Sequence, residues 1–284
     1  MPDLTIIIPA YNMHDTVSNA VESVLIQKIE AQIIVIDDGS LPPITLPEDV
    51  AAHPLVTLLT LPSNGGAAAA RNAGVTRVKT DWLAFLDADD TLIPDTLHQR
   101  FEFAKAMEAD APLALFGCGW LEATRKIGQQ TRIPLGADTA RHFASGCWYC
   151  PGSCIIARRQ VFVDLPFDES LSRLEDFDFG IRFGKSGGQL LVQPIAGAAI
   201  RPANRTDTDQ VARAAKHLRT KHTALAESDP DAFSAMNAYL ELELGTASAR
   251  ESRWVKALGH HLRSFAYKPR ITRHFSPGWT FSQS

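Results

Sequence analysis

The sequence predicts an α/β fold with a mostly parallel central sheet, helices on both faces and a C-terminal helical extension. The first observation is that short, uninterrupted apolar runs alternate with helical patterns over residues 4–107. Strands that are buried on both faces give such continuous runs, and their alternation with helices is typical of parallel sheets. The second observation is that only helical patterns follow residue 208, with breaks expected near Pro230 and Thr246.

Each element is predicted from its own pattern. Strands are expected at residues 4–8, 33–36, 55–61 and 82–86, where β-branched and aromatic side chains dominate. Helices are expected at residues 17–25, 67–78 and 94–107. The alternation then weakens, and the pattern predicts strands at 113–120, 153–157 and 189–200 and a helix from residue 174. Residues 121–135 fit either a hairpin or a surface loop.

Composition excludes several classes of protein. The chain has 284 residues, of which 45% are hydrophobic, and a net charge of -4. An ordinary core is therefore expected, and a dedicated nucleic-acid binder is not. The first residues lack the basic start of a signal peptide, and no apolar run has the length of a transmembrane helix. These features predict a cytoplasmic protein.

The cysteines are expected to be thiols in that compartment. The four are Cys118, Cys147, Cys150 and Cys154. The Cys147-x-x-Cys150 spacing allows a zinc or redox site, but no second pair or histidine nearby completes a four-ligand set. Small apolar packing is the favoured interpretation.

Polar side chains follow the apolar strands where these end. Asn12 follows the first strand, Asp37 and Asp38 follow the second, and the run from Asp87 to Asp90 follows the fourth. Parallel strands bring their carboxyl ends to one edge of the sheet, and such sheets bind ligands there. We therefore expect these side chains to gather along one edge.

The segment Asp87-Ala88-Asp89-Asp90 places three carboxylates within four positions. Like charges this close repel each other, so a cation is expected among them. Mg²⁺ and Mn²⁺ prefer carboxylate oxygen and take water and phosphate at their remaining positions. Asp87 and Asp89 are therefore candidate metal ligands. The alternative is a solvated acidic turn in which Asp90 caps the next helix.

Two further segments are candidates for nucleotide binding. Asp37 and Asp38 precede a glycine turn, where a carboxylate can accept hydrogen bonds from ribose or a base; an ordinary Asp-Gly turn is the alternative. Gly65, Gly66 and four alanines leave the next helix start almost bare, so a ligand can approach its backbone N–H groups. Arg71 would then be a lone cation for a phosphate or an acidic partner. Tight packing of this helix on the sheet is a compatible alternative.

A second acidic cluster, Glu175-Asp176-Phe177-Asp178, lies far along the chain. Partial burial raises the pKa of a carboxyl toward the range of a general base. Arg182 is expected to pair with Asp178 four residues away, which leaves Asp176 or Glu175 for catalysis. The alternative is a helix N-terminus that is enriched in acids because of the helix dipole.

In order and spacing, these motifs resemble those of family 2 glycosyltransferases. The matching segments are residues 6–12, 35–40, 64–74, 85–90 and 175–182, and the resemblance covers roughly residues 3–205. It implies a GT-A fold and inverting transfer of a sugar from a nucleoside diphosphate sugar, usually a UDP-sugar. The acceptor would be a hydroxyl of a saccharide or lipid-linked molecule, and the cofactor Mn²⁺ or Mg²⁺.

The resemblance also implies individual roles. Asp176 matches the catalytic base, with Glu175 beside it, and Asp87 and Asp89 form the D-x-D motif that reaches ribose and the metal. The nucleotide-binding residues it implies are Pro9, Tyr11, Asn12, Asp37, Asp38, Gly66, Arg71 and Asp87. Many relatives carry a histidine after the last strand, where residues 200–205 of this chain have none. A metal or acceptor contact from that position is therefore in question, and Arg201 is the alternative phosphate contact.

The motifs predict a catalytic domain at residues 1–205 and a helical extension at 206–284. Within the first, a nucleotide-binding half extends to about residue 110 and an acceptor half covers 111–205. A sugar-phosphate nucleotidyltransferase is one alternative, but residues 9–16 lack its glycine-rich, basic phosphate loop. A non-catalytic sugar-nucleotide binder is another, and the intact acidic clusters argue against it.

The extension is basic from residue 250 to 273, with seven Lys or Arg against Glu251. A basic amphipathic helix can lie on an anionic membrane, which would suit a lipid-linked acceptor. This interpretation predicts peripheral contact with the inner face of the membrane through residues 250–275. The alternative is a helix packed on the catalytic domain or on a partner subunit. The apolar residues on one helical face are Trp254, Leu258, Leu262 and Phe265.

Overall fold

The computed structural model describes residues 2–124, 128–146, 150–201, 207–267 and 280–282. Strands and helices alternate over the first part of the chain, as the sequence predicts. The elements are β1 (Leu4–Ala10), α1 (Val17–Leu25), β2 (Gln32–Asp37), α2 (Glu48–Ala51), β3 (Val56–Thr60), α3 (Gly66–Arg77), β4 (Trp82–Phe85), β5 (Thr91–Leu92) and α4 (Thr96–Met107).

Four strands form the parallel part of the sheet, in the order β3, β2, β1, β4. Ile7 of β1 lies beside Ile34 of β2 and Phe85 of β4. These three side chains are buried, as expected of strands covered on both faces. Because the strands are parallel, the segments after β1, β2 and β4 all emerge at one edge of the sheet.

The second part of the chain extends this sheet. Its elements are β6 (Ala114–Thr124), β7 (Gly128–Ile133), α5 (Ala140–Ala144), a 3-10 turn (Gly152–Cys154), β8 (Ile155–Arg158), α6 (Arg159–Asp164), α7 (Glu175–Lys185) and β9 (Gln189–Ile200). Strand β8 lies antiparallel between β4 and β6, while β9 pairs parallel to β6 and antiparallel to β5. Strands β6 and β7 pair antiparallel, which favours the hairpin over the surface loop.

The C-terminal part is mostly helical, as predicted. It contains α8 (Thr208–Lys221), α9 (Leu225–Ser228), α10 (Pro230–Arg250), α11 (Trp254–Ala266) and a short strand β10 (Thr280–Ser282) that pairs with β7. The break predicted at Pro230 is confirmed, because Asp229 caps α10 and Pro230 is its first residue. The break predicted near Thr246 is wrong, since α10 continues to Arg250. Its neighbour Gly245 is buried against His261 of α11, and this packing outweighs the weak helix propensities of Gly and Thr.

Helix α7 joins two hydrophobic clusters. Phe179 and Phe183 belong to the main core around the sheet. Phe177 and Ile181 belong to a second cluster, which α7 forms with α5 and the C-terminal helices; Leu240 of α10 is one of its members. The extension therefore packs directly on the helix that carries the second acidic cluster. The predicted boundary at residue 205 lies outside the described residues.

Three of the cysteines can be described. Cys118, Cys150 and Cys154 are free and buried, and burial raises the pKa of the Cys118 and Cys154 thiols well above its usual value. Cys147 lies outside the described residues. Within the described ranges, no three His, Cys, Asp or Glu side chains are grouped so that they could hold a metal ion. None of the helices in those ranges has both the length and the apolar character to cross a bilayer.

Candidate active site

The two aspartates after β2 have different partners. Asp37 is fully buried and accepts hydrogen bonds from the backbone N–H groups of Ser40 and Ile44, both at 3.0 Å. Burial alone would raise the pKa of Asp37, but hydrogen bonds from Ser40 and Ile44 outweigh it and lower that pKa. Asp38 accepts hydrogen bonds from the N–H groups of Gly65 at 2.9 Å and Gly66 at 2.8 Å. Asp37 thus holds its own loop, and Asp38 ties β2 to the start of α3.

The residues after β1 lie beside this loop. Asn12 adopts a positive φ of 54°. Its N–H donates to Ser40 Oγ at 2.8 Å, and its Oδ1 accepts from the N–H of Leu41 at 3.2 Å. Tyr11 is exposed, and Pro9 pairs with Ile36 in the sheet. The structure thus brings the candidates from β1, β2 and the start of α3 to one edge, as the strand order requires.

Helix α3 packs closely on the sheet because its side chains are small. A Cβ on Gly74 would lie 2.5 Å from Ile7 Cγ2, so only glycine fits there without a shift of β1. Arg71 is the charged residue among the buried side chains of α3. Its guanidinium lies 5.9 Å from the ring centre of Phe85 and 5.5 Å from that of Phe167. The alternative of tight packing is thus realised together with a buried cation.

Arg71 joins the two acidic clusters. Its Nη2 donates to Asp87 Oδ1 at 2.9 Å, and its Nη1 donates to Glu175 Oε1 at 2.8 Å. Burial would lower the pKa of Arg71, but the two carboxylates hold that pKa above its usual value. The guanidinium is therefore charged, and it fixes β4 and α7 relative to each other.

The acidic turn after β4 is held by a serine that the sequence analysis did not single out. Ser153 is fully buried, and its Oγ accepts from the N–H of Asp87 at 3.0 Å. The same hydroxyl donates to Asp90 Oδ2 at 2.6 Å, and the N–H of Arg201 donates to Asp90 Oδ1 at 2.9 Å. The alternative that Asp90 caps a helix is wrong, since α4 begins at Thr96. Asp90 instead connects the turn after β4 with the 3-10 turn before β8 and with Arg201, the residue after β9.

Asp87 has a cationic partner in Arg71, but no ion pair is formed by Asp89 among the described side chains. Both aspartates are half-buried, and burial together with the charge of Asp87 raises the pKa of Asp89. Burial and the same neighbour raise the pKa of Asp90 to about 7. A divalent cation between Asp87 and Asp89 would relieve this repulsion, and two carboxylates with water and phosphate are a usual ligand set for Mg²⁺ or Mn²⁺. The residues present thus fit the predicted metal. A further ligand from the segment after β9 cannot be described, because residues 202–206 lie outside the described part of the chain.

Helix α7 presents its acidic residues in three different environments. Glu175 pairs with Arg71. Asp178 is fully buried and accepts from Arg182 Nε at 2.7 Å and Lys221 Nζ at 2.9 Å, so the predicted i+4 pair is confirmed. Asp176 has no ion pair among the described side chains. Its pKa is raised to about 7, because burial and the neighbouring charge of Glu175 outweigh the attraction of Arg71.

Helix α10 packs beside the start of α7, where Asp176 lies. The ring of Tyr239 lies 4.5 Å from that of Phe177, centre to centre. Glu243, one turn further along α10, has its pKa raised by burial despite a hydrogen bond from Tyr239. The charge of Glu243 also contributes to the raised pKa of Asp176. Sequence analysis missed Glu243, because nothing local marks a glutamate that packs beside a residue of another helix.

Comparison with known families tests the function predicted from these motifs. Residues 5–165 match the family model described as glycosyl transferase family 2. The chain belongs to glycosyl transferase family 2. The resemblance stated from the motifs is thereby confirmed. The match ends before α7, so the second acidic cluster lies beyond it.

Two relatives illustrate the similarity. Succinoglycan biosynthesis protein ExoO of Rhizobium meliloti is 33% identical over 217 residues, which cover 69% of this chain and 60% of that protein. The pre-mycofactocin glycosyltransferase of Mycobacterium tuberculosis is 28% identical over 278 residues, which cover 90% of this chain and 56% of that protein. The family 2 chain described here thus spans less than two thirds of the length of these relatives.

Solved structures show the same fold. S. aureus TarS 1-349 in complex with UDP is 15% identical, with a TM-score of 0.54 over 97% of this chain and 92% of that chain. Mannosyltransferase PcManGT from Pyrobaculum calidifontis, in complex with GDP-Man and Mn2+, is 17% identical, with a TM-score of 0.57 over 98% of this chain and 83% of that chain. The predicted GT-A fold is confirmed.

Proposed function

We propose that this chain transfers a sugar, with inversion, from a UDP-sugar to a hydroxyl of a saccharide or lipid-linked acceptor, and that Asp176 is the base. The observation that carries the proposal is the arrangement around Arg71. This residue joins Asp87 of the first acidic cluster to Glu175 of the second. Asp176, next to Glu175, carries no ion pair among the described residues and has a pKa of about 7. A carboxylate with this pKa is suited to accept a proton near neutral pH.

The donor nucleotide is proposed to bind at the edge formed by β1, β2 and the start of α3. Tyr11 is exposed there and can cover the base. Asp38 is held by two N–H groups from Gly65 and Gly66, which fixes its carboxylate for ribose. The remaining nucleotide contacts are assigned to Pro9, Asn12, Gly66 and Asp87. Asp37 and Arg71 are buried and are assigned a supporting role: Asp37 holds the loop after β2, and Arg71 joins the two acidic clusters. TarS was solved with UDP and UDP-GlcNAc, which supports a nucleoside diphosphate sugar as donor.

Asp87 and Asp89 are proposed to hold Mn²⁺ or Mg²⁺. When bound, such an ion supplies positive charge that stabilises the departing diphosphate. PcManGT, solved with Mn2+ and GDP-Man, supports this cofactor. The side chain of Asp90 is already engaged by Ser153 and Arg201, so it serves to orient the acidic turn.

The proposed reaction begins with proton transfer from the acceptor. Asp176 takes the proton of the acceptor hydroxyl. The acceptor oxygen forms a bond to the anomeric carbon from the face opposite the diphosphate. The bond between that carbon and the diphosphate oxygen breaks, and UDP leaves with the electron pair. Glu175 stays paired with Arg71, which keeps Asp176 in position.

The acceptor class and the location complete the proposal. Relatives named for succinoglycan and amylovoran biosynthesis support a saccharide acceptor. A cytoplasmic location is part of the proposal. A lipid-linked acceptor would bring the enzyme to the inner face of the membrane. The predicted division at residue 205 into a catalytic domain and an extension remains part of the proposal.

A donor screen tests this proposal. The full chain is incubated with UDP-sugars and GDP-mannose, each with Mn²⁺ or Mg²⁺, and release of the nucleoside diphosphate is measured. We expect release with a UDP-sugar that disappears on metal chelation. Asp176→Asn is expected to bind the same donor and to lose turnover by about 10²–10⁴-fold. Donor binding without release by the wild type would favour a sugar-nucleotide binder.

A further inference from the structure

Helix α11 packs on α10 with one side only. Ala257 and Ser264 are buried, and Ser264 Oγ donates to the carbonyl of Ala238 at 2.8 Å. His261 lies against Gly245, where a Cβ would come within 2.6 Å of the imidazole. The alternative of a helix packed on the body of the protein is therefore realised for this side. The remaining question is what the exposed apolar side of α11 contacts.

A second side of α11, next to the side that packs on α10, is apolar and exposed. At about 100° per residue, four of its side chains cover roughly 100° of the helix circumference, next to the packed side. We call these four residues the apolar strip. Their exposed fractions are 68% for Trp254, 87% for Val255, 60% for Leu258 and 60% for Leu262. Large apolar side chains grouped in this way on a surface helix mark an interaction site.

Two basic residues, which we call the basic border, lie on the polar side of α11 beyond the apolar strip. Lys256 and Arg263 lie about 100° beyond its edge, by the same helical geometry. Lys256 is exposed, and the side chain of Arg263 is 55% exposed although its Nε reaches Glu241 at 2.9 Å. Over residues 250–267, the part of this segment that the structure describes without a gap, four Lys or Arg stand against Glu251. The surface therefore combines an apolar strip with a positive border.

A second copy of the chain is a poor occupant for this surface. In a twofold pair, each strip would meet its copy, and the like-charged borders would be brought together. An anionic bilayer has an apolar interior beneath a negative surface, which complements both parts of the helix. Trp254, at the start of the strip, is also of the type that favours the membrane interface.

We propose that the apolar strip and its basic border bind the surface of an anionic phospholipid bilayer, with α11 lying in the plane of the interface. This contact concerns the C-terminal part of the chain and does not depend on the reaction proposed above. It would keep the enzyme at the membrane surface.

The test is co-flotation of the full chain with lipid vesicles. Vesicles of phosphatidylcholine with phosphatidylglycerol are compared with vesicles of phosphatidylcholine alone, at low and high salt. We expect the bound fraction to be at least about tenfold higher on the anionic vesicles and to fall with salt, because screening weakens the electrostatic part.

A double variant tests the contribution of the apolar strip to vesicle binding. Leu258→Asn/Leu262→Asn removes half of its apolar side chains, and we expect at least about a tenfold weaker partition onto anionic vesicles. The matched control is Ile26→Asn/Val163→Asn. Ile26, at the end of α1, is 63% exposed, and Val163, on α6, is 44% exposed. This control is expected to bind like the wild type, and circular dichroism checks that both variants are folded.

Four outcomes would count against the proposal, and the first three would overturn it. The wild type could fail to float with anionic vesicles, or the strip variant could bind as well as the wild type. The third is a wild type that is dimeric in solution and becomes monomeric in the strip variant, which would make the strip an interface between copies. Equal loss of binding in the control would also count against the strip as the specific contact.

Discussion

Two aspartates of α7 are predicted to respond in opposite ways to the same substitution. Burial and the charge of Glu175 raise the pKa of Asp176 to about 7, so its ionised form destabilises the folded state. Asp178 is also buried, but contacts with His222, Arg182 and Lys221 hold its pKa below the usual value. Replacing Asp176 with Asn should therefore stabilise the protein at alkaline pH, whereas the same change at Asp178 should destabilise it.

The magnitude for Asp176 follows from its pKa. Between the usual value of 3.8 and about 7, the folded state binds more protons than the unfolded state, so stability falls as the pH rises through this window. At 1.36 kcal/mol per pH unit, the full penalty above that window is about 4 kcal/mol. Solvent screens this half-buried side chain, so we expect Asp176→Asn to recover about 2 kcal/mol, or roughly 5 °C in Tm.

The opposite sign is expected for Asp178→Asn. The stability that Asp178 contributes is present above its unfolded-state pKa and is lost as the pH falls through its lowered folded-state pKa. Removing one partner of a buried ion pair costs about 3–5 kcal/mol. The lower end applies here, because Lys221 and Arg182 reach solvent and can be hydrated.

Thermal unfolding of the wild type and both variants, followed above and below the pKa of Asp176, is the assay. The Asp176→Asn variant should melt higher than the wild type at alkaline pH and at about the same temperature at acidic pH, where the wild-type carboxyl is neutral. It should also lose turnover. Equal melting temperatures at alkaline pH, or undiminished release of nucleoside diphosphate, would refute the assignment of Asp176 as a destabilised base.

Three further substitutions test the surroundings of this base. Glu243→Gln removes a negative charge that raises the pKa of Asp176, so the acidic limb of the pH–rate profile should move to lower pH; an unchanged limb would separate Glu243 from the base. Ser153→Ala removes the partner of the Asp87 N–H and of the buried Asp90 carboxylate and should cost about 1–3 kcal/mol in denaturant unfolding; unchanged stability would show that the hydroxyl is not needed to hold the acidic turn. Asp89→Ala should weaken metal-dependent UDP binding at least about tenfold by calorimetry, and intact binding would remove Asp89 from the metal site.

The parallel half of the fold could be predicted because two features of the sequence indicate each strand. Strands such as β1 and β2 are continuous apolar runs, and each ends at polar residues that have no place in a core. Since parallel strands end at one edge, the common location of Asn12, Asp38 and Asp87 followed without knowledge of the strand order. The pairing of Arg182 with Asp178 followed from helix spacing alone.

The contacts that sequence reasoning missed are those between distant segments. Asp90 was considered as a helix cap, but a two-residue strand, β5, follows it and pairs with β9 near the other end of the domain. Such a short strand has no periodicity to detect. The hydroxyl of Ser153 and the carboxylate of Glu243 act through neighbours that are remote in sequence. The continuity of α10 past Thr246 likewise depends on α11 packing against Gly245.

The charge balance around Arg71 connects the stability of the site with its chemistry. Asp87, Asp89, Glu175 and Asp176 come together with Arg71 as their buried cation. Arg71 is shared between Asp87 and Glu175, so Asp89 and Asp176 lack comparable compensation, and both have raised pKa values. A buried ion network of this kind is weak evidence for stability. Its consequence is a surplus of negative charge, which favours a divalent cation on one side of Arg71 and a basic carboxylate on the other.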